Sequence, residues 1–265
     1  MPTPTFLDLP VRTPKVNNQP RSKGITHVIE KGMGPRELED WLNTCGQYVD
    51  IIKFGWSTAY ITPNIKEKIA VIQNAGITVY PGGTLFEIAL QQGKVSDYCR
   101  WLESLGISML EVSDGVTHLL SGEKREWIRS LSKSFTVVSE VGSKDPNVQY
   151  PPQDWAEWIE RELDAGAAYV IAEGREHGTS GIYDRSGTLN EAIIQAILER
   201  IPPEKVIFEV PVRKYQAWFI QALGADVNLG NIAPQDVIGL ETLRLNLRAD
   251  TMIAGSQIPA FNTGL

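Results

Sequence analysis

Apolar and polar positions fall in blocks along this chain: eight short runs rich in Val, Ile and Phe each break off into a polar or glycine-rich stop. The runs are Ile25–Lys31, Tyr48–Trp56, Ile77–Gly83, Met109–Gly115, Phe135–Gly142, Tyr169–Glu176, Val206–Pro211 and Asp226–Ile232. Between most of them apolar residues recur at helical spacing, so the pattern predicts strand and helix in alternation, eight times. That repeat specifies an α/β fold, a single (β/α)8 TIM barrel, whose chemistry sits where the strands end at the C-terminal face.

Start and stop signals support the helices between the runs. Pro35 followed by acids opens one, Asn64–Ala75 halts at Gly76, and Val95–Leu105 halts at Gly106. Thr84 is placed to cap Leu85–Leu90, with Glu87 three residues on to complete a capping box. Ser121–Leu131, Asp154–Ala165, Asn190–Arg200, Arg213–Leu223 and Pro234–Asn246 complete the set. Trp155 and Trp158 share the packed face of their helix, a spacing that reads as core. Two loops are long, Ser143–Gln153 after the fifth run and Gly174–Gly187 after the sixth. Both fall on the catalytic face, and the second, which starts from Arg175 and contains His177 and several glycines, is expected to be an anion-gripping lid.

Parity along the strands assigns the candidate chemistry. Glu111, Glu140, Glu173 and Glu209 lie near the ends of runs four to seven, at positions that face the barrel interior together. Carboxylates inside Val- and Ile-rich strands are costly to bury alone, and like charges this close do not all stay ionised unaided. A divalent cation relieves them, and an all-oxygen donor set points to Mg²⁺ or Mn²⁺ over zinc. The competing reading pairs them with Lys53, Arg175 and Arg248 in a structural salt network. Lys53 ends the second run and is a candidate proton donor, anion clamp or Schiff-base former. Glycine-rich turns before helices, with Gly82 and Gly83 in one and Asn228, Gly230 and Asn231 in another, are candidate anion sites, with Arg175, Arg213 and Arg248 as bidentate partners. Ser113 and Asp114 form either part of this site or a tight turn. His177 is a candidate substrate contact, whereas His27, on an apolar strand, reads as structural. Nucleophile elbows, zinc spacing and a dinucleotide fingerprint are absent from the sequence.

Composition narrows the partners. With 265 residues, 42 % hydrophobic, the chain has the size of one barrel, assigned here to residues 25–265. Residues 1–24 carry five prolines and are expected to form an extended arm over the barrel or a neighbouring subunit in a homo-oligomer. A net charge of −7 argues against a nucleic-acid or anionic-membrane surface. Cys45 and Cys99, without CxxC spacing, and the lack of a signal-peptide layout fit a reduced cytoplasmic setting.

Taken together, the strand ends resemble one family. Lys53-Phe54-Gly55-Trp56, Pro81 to Glu87, Glu111 to Gly115, Glu140-Val141-Gly142, Glu173 to Glu176, Phe208 to Pro211, Asn228 to Ile232 and Leu247 to Thr251 are similar to the corresponding segments of the phosphosulfolactate synthases. The resemblance implies a Mg²⁺-dependent (β/α)8 lyase that joins sulfite to phosphoenolpyruvate on the route to coenzyme M, with Lys53, Glu111 and Arg175 as its catalytic residues. Ser57 and Ala249 stand where that family usually has Gly, and Arg213 where it usually has Lys. Two rival readings are a Schiff-base aldolase using Lys53 and a non-catalytic homologue, of the kind a plant heat-stress group represents.

Overall fold

The computed structural model describes residues 21–117, 119, 122–145, 147–175 and 179–252. Its strands are β1 (Thr26–Glu30), β2 (Ile51–Phe54), β3 (Thr78–Pro81), β4 (Met109–Val112), β5 (Thr136–Val141), β6 (Tyr169–Ala172), β7 (Val206–Glu209) and β8 (Leu229–Ile232). The helices are α1 (Pro35–Cys45), α2 (Thr58–Ile61), α3 (Ile65–Asn74), α4 (Gly83–Gln91), α5 (Val95–Ser104), α6 (Glu123–Leu131), α7 (Pro152–Asp164), α8 (Glu191–Leu198), α9 (Arg213–Leu223), α10 (Val237–Arg244) and α11 (Ala249–Met252). No helix among the described residues is long and apolar enough to cross a membrane.

The strands are all parallel, in the order β3-β2-β1-β8-β7-β6-β5-β4, the expected (β/α)8 arrangement. Backbone ladders join every neighbouring pair except β3 and β4, which lie side by side without one. Every apolar run but the eighth overshoots its strand, because its last residues leave the ladder to build the C-terminal face. Glu173, for example, lies one residue beyond β6.

Outward side chains pack under the helices, as in Phe208 on Phe219 with ring centroids 5.0 Å apart. Trp155 is fully buried, and Trp158 is half-buried edge-on to Tyr150, so the helix face predicted as core is core. Two buried acids of this layer each have a lysine at hydrogen-bond distance. Glu30 pairs with Lys68 of α3 at 2.8 Å, and Glu162 of α7 pairs with Lys124 of α6 at 2.9 Å.

The capping box at Thr84 does not form. Gly82 takes the cap position, Thr84 lies within the first turn, and the Glu87 carboxylate turns towards the loop after β4. Of the expected arm, only residues 21–24 are described; Arg21 forks onto Asp50, with both guanidinium contacts at 3.1 Å. The rest of the arm and residues 253–265 lie outside the described residues.

Lys68 and Glu30 are almost wholly removed from water, and the Lys68 ammonium also lies 5.2 Å from the Phe54 ring centre. Replacing one partner leaves the other as an uncompensated buried charge, which costs about 3–5 kcal/mol. Lys68→Met is therefore expected to lower unfolding free energy by that amount in urea titration. A loss below about 1 kcal/mol, the scale of an exposed pair, would contradict this account.

Candidate active site

The strand ends surround a cavity of about 530 Å³ lined by Lys53, Glu111, Glu140, Glu173 and Glu209, with Lys144 and Arg175 from the following loops. Strand parity places these side chains as predicted: Glu111 is in register with Val138, Glu140 with Ile171 and Glu209 with Gly230, all turned inward. The four glutamates are at most 3 % exposed.

Lys53 rises from β2 into their midst. Its Nζ donates to Glu209 at 2.8 Å and lies 3.6 Å from Glu111 and 3.9 Å from Glu140. Burial opposes its charge, but Glu111, Glu209 and Glu140 together hold its pKa well above the ordinary lysine value. Lys144, beyond β5, pairs with Glu140 at 2.8 Å and sits 3.7 Å from Glu87. Burial would raise the Glu140 carboxyl, yet Lys144 and Lys53 override it and hold it down at about 2.

The acids divide into two groups. One oxygen from each of Glu140, Glu173 and Glu209 lies within 4.8 Å of the others, close enough to share one ion. Glu173 carries the strain of that proximity: burial, then Glu140 and Glu209, push its carboxyl well above the usual range. Glu111, which the sequence grouped with these three as a metal ligand, is engaged elsewhere. It accepts from the Gly83 N–H at 2.7 Å and the Tyr80 hydroxyl at 3.0 Å, and so staples β3 to β4 where the backbone ladder is missing. The Tyr80 hydroxyl is also 2.8 Å from His27 Nε2. Burial, then Lys53, hold the His27 pKa well below its ordinary value, so the ring is neutral beneath the lysine. His27 Nδ1 lacks a hydrogen-bond partner, so the structural reading of this histidine accounts for only one of its nitrogens.

Other predicted residues divide by position. Gly82, Gly83 and Asn231 line the cavity. Asn231 adopts φ 54° and turns a buried side chain whose Oδ1 has no partner. Gly230 faces the interior below, where a Cβ would stand 2.9 Å from His27 Nδ1. Ser113 is buried behind Gly83 and donates to Glu87. Asp114 instead pairs with Lys124 at 3.0 Å and lines a neighbouring cavity of about 430 Å³. Asn228 is at the opposite end of the barrel, its amide committed to the backbone of Ile25, Glu204 and Val206. Arg213 pairs with Asp236 and Arg248 with Asp250, and neither lines the cavity. The Arg175 guanidinium donates to the Lys144 carbonyl at 2.6 Å, so the salt network envisaged with Arg175 and Arg248 is built by Lys53 and Lys144.

His177 lies outside the described residues. The described part of its loop is packed against the barrel: a Cβ at Gly174 would stand 2.2 Å from the Glu209 carbonyl oxygen, and one at Gly181 would stand 1.9 Å from that of Glu173. These two glycines permit close approach of backbone to backbone. Lys144, Glu87 and Tyr80 escaped notice as site residues. Lys144 lies in a loop, Glu87 was assigned to a helix cap, and Tyr80 reads as an apolar strand residue.

An eight-stranded α/β barrel with buried lysines and carboxylates around its mouth defines a barrel enzyme suited to a small polar substrate. The family model described as (2R)-phospho-3-sulfolactate synthase (ComA) matches residues 14–250, and the chain belongs to that family. It is 43 % identical to the phosphosulfolactate synthase of Methanocaldococcus jannaschii, covering 86 % of this chain and 94 % of the relative. It is 41 % identical to that of Methanothermobacter thermautotrophicus, covering 91 % and 95 %. The fold is similar to 3-hexulose-6-phosphate synthase from Salmonella typhimurium, with TM-score 0.53 and 14 % identity over 84 % of this chain and 99 % of that one.

Burial pushes the Glu111 carboxyl up to about 7 from its ordinary 4.5, against the pull of Lys53. Glu111 thus holds its proton more tightly folded than unfolded. Between those two values unfolding releases a proton, and its contribution to stability falls as pH rises. Glu111→Gln is expected to flatten that part of the stability–pH curve, measured by urea unfolding without divalent cations; an unchanged slope would contradict the assignment.

Proposed function

We propose that this protein is a lyase that adds sulfite to phosphoenolpyruvate to give (2R)-phospho-3-sulfolactate, with Mg²⁺ as cofactor. The observation that carries this reading is one cavity that combines a trio of buried carboxylates with two ammonium groups, Lys53 buried and Lys144 half-buried. The trio fits a hard divalent cation: its donors are all oxygen, and burial together with Glu140 and Glu209 pushes the Glu173 carboxyl well above its ordinary range, a strain that a cation would relieve. Glu140, Glu173 and Glu209 would hold the ion, which when bound supplies Lewis-acid stabilisation of negative charge developing in the substrate.

The protein's own groups account for the remaining requirements. Sulfite is a sulfur nucleophile; its lone pair forms the S–C3 bond while the C2–C3 π pair moves to C2. Lys53, held charged by three glutamates, delivers the proton that C2 then needs, and the phosphate ester stays on C2. Glu111 positions Lys53 from below while anchored by Tyr80 and Gly83. Lys144, Arg175 at the rim and Asn231 bind the substrate anions and keep the two negative reactants together, whereas the Gly82 and Gly83 N–H groups are already given to the Phe54 carbonyl and Glu111 and serve only as bare cavity wall. Such an activity serves coenzyme M biosynthesis in the cytoplasm.

The same geometry disfavours a Schiff-base aldolase. Imine formation needs a neutral amine, and the Lys53 ion pairs stabilise the ammonium form. Identity above 40 % to proteins named as synthases favours an enzyme over a non-catalytic homologue.

Two measurements test the proposal. Lys53→Ala is expected to lower kcat for phosphosulfolactate formation by roughly 10²–10⁴, the range for a lost general acid; a folded variant with near-parental rate removes Lys53 from the mechanism. Calorimetry is expected to detect Mg²⁺ binding that is weakened in Glu209→Gln and much less affected in Glu111→Gln. Equal affinity in the parent and Glu209→Gln would exclude the carboxylate trio as the metal site.

A further inference from the structure

Glu87 takes no part in the steps above, yet its carboxylate is 2 % exposed and four groups donate to it. One oxygen accepts from the Ser113 hydroxyl. The other accepts from the Val116 N–H at 2.9 Å, the Thr117 N–H at 2.7 Å and the Thr117 hydroxyl at 3.0 Å. All the donors belong to one segment, the turn that follows β4. A glutamate in mid-helix has no local need for such partners, and Gly82, not Glu87, occupies the end of α4.

That turn is the surface on which Lys144 lies. A Cβ at Gly115 would stand 3.3 Å from both Cγ and Cδ of Lys144, so the lysine stem crosses the bare glycine in contact with its backbone. Lys144 Nζ is 3.4 Å from the Ser113 hydroxyl, 3.7 Å from Glu87 itself and 2.8 Å from Glu140. On the other side, a Cβ at Gly83 would stand 2.6 Å from Ser113 Cβ, so the turn is wedged against the start of α4. Gly115 and Val116 form part of the cavity wall. The path from Glu87 to the cavity is therefore short and contiguous: carboxylate, turn, lysine stem, ammonium.

We propose that Glu87 is a positioning residue that clamps the 113–117 turn and, through it and by direct charge contact, aims the Lys144 ammonium into the cavity. The kinetic part of this inference rests on the lyase reading above; the clamp itself does not. A carboxylate suits the task because it accepts from four donors on two oxygens and still presents negative charge to the lysine. The amide of Glu87→Gln keeps the size but has one acceptor oxygen and no charge.

Kinetics and chemical accessibility give separate readouts. Glu87→Gln is expected to raise KM for phosphoenolpyruvate by about tenfold or more while kcat changes by less than about threefold, the signature of lost substrate binding. In a Lys144→Met background the same substitution is expected to add nothing further to KM, because both changes act through one ammonium. Full additivity of the two effects overturns the proposal. Acetic anhydride labelling read by peptide mass spectrometry should acylate Lys144 several times faster in Glu87→Gln than in the parent, with the exposed Lys94 as internal control. Unchanged Lys144 labelling overturns the clamp. If the parent does not convert phosphoenolpyruvate and sulfite, the lyase reading fails and labelling still decides the clamp. Should Glu87→Gln not fold, Thr117→Val removes one of the four donors and is expected to move KM and labelling in the same directions, by smaller factors; no movement in either overturns the proposal.

Discussion

A carboxylate withdrawn from water must be met by positive charge or by hydrogen-bond donors, and the mouth of this barrel is organised by that requirement. Lys53 is the central response. One ammonium, inserted from β2, lies within 4 Å of glutamates from β4, β5 and β7, so charges from four strands are tied to a single atom. Removing any of these acids would change the field at Lys53, and removing Lys53 would leave three acids facing one another. The site behaves as a coupled unit, in which a change at one acid is felt by the others through Lys53.

The same requirement explains how the barrel closes. Between β3 and β4 no backbone ladder forms, and Glu111 bridges the gap by accepting from Tyr80 and Gly83. Gly83 serves this contact because it lacks a side chain: a Cβ there would stand 2.7 Å from Glu111 Oε1. The glutamate, tyrosine and glycine make one junction that is both a seam in the fold and the floor of the site. Closure and chemistry are not separable at this position.

Period-2 parity made the inward glutamates legible in the sequence, because a strand offers only two faces and the apolar runs fixed which residues shared one. Lys53 was legible for the same reason. Parity has no power beyond the strands, which is why Lys144 was overlooked and Asn228, Arg213 and Arg248 were placed in the site. Asn228 precedes β8 and so lies at its far end, and the two arginines have acids of their own at hand in Asp236 and Asp250. Glu87 shows a different limit. Its spacing from Thr84 satisfied a local rule, but four donors on a loop distant in sequence offered more than a helix end did. Local signals were overruled where a tertiary partner was better placed.

Charge balance separates the acids that hold the fold together from those held ready for a ligand. Outside the barrel, Glu30 has Lys68 and Glu162 has Lys124, each acid with a lysine at hydrogen-bond distance. Inside, Lys53 and Lys144 face Glu87, Glu111, Glu140, Glu173 and Glu209, and the balance is negative. A fold selected only for stability would have matched the inner acids as it matched the outer ones, yet burial beside Glu140 and Glu209 instead drives the Glu173 carboxyl well above its ordinary range. The three acids whose oxygens converge are Glu140, Glu173 and Glu209, and of these Glu140 and Glu209 have a lysine at ion-pair distance. Lys53 and Lys144 tie two of these acids, Glu209 and Glu140, at 2.8 Å each, and the uneven match falls on Glu173, which has no ammonium at that distance among the described residues.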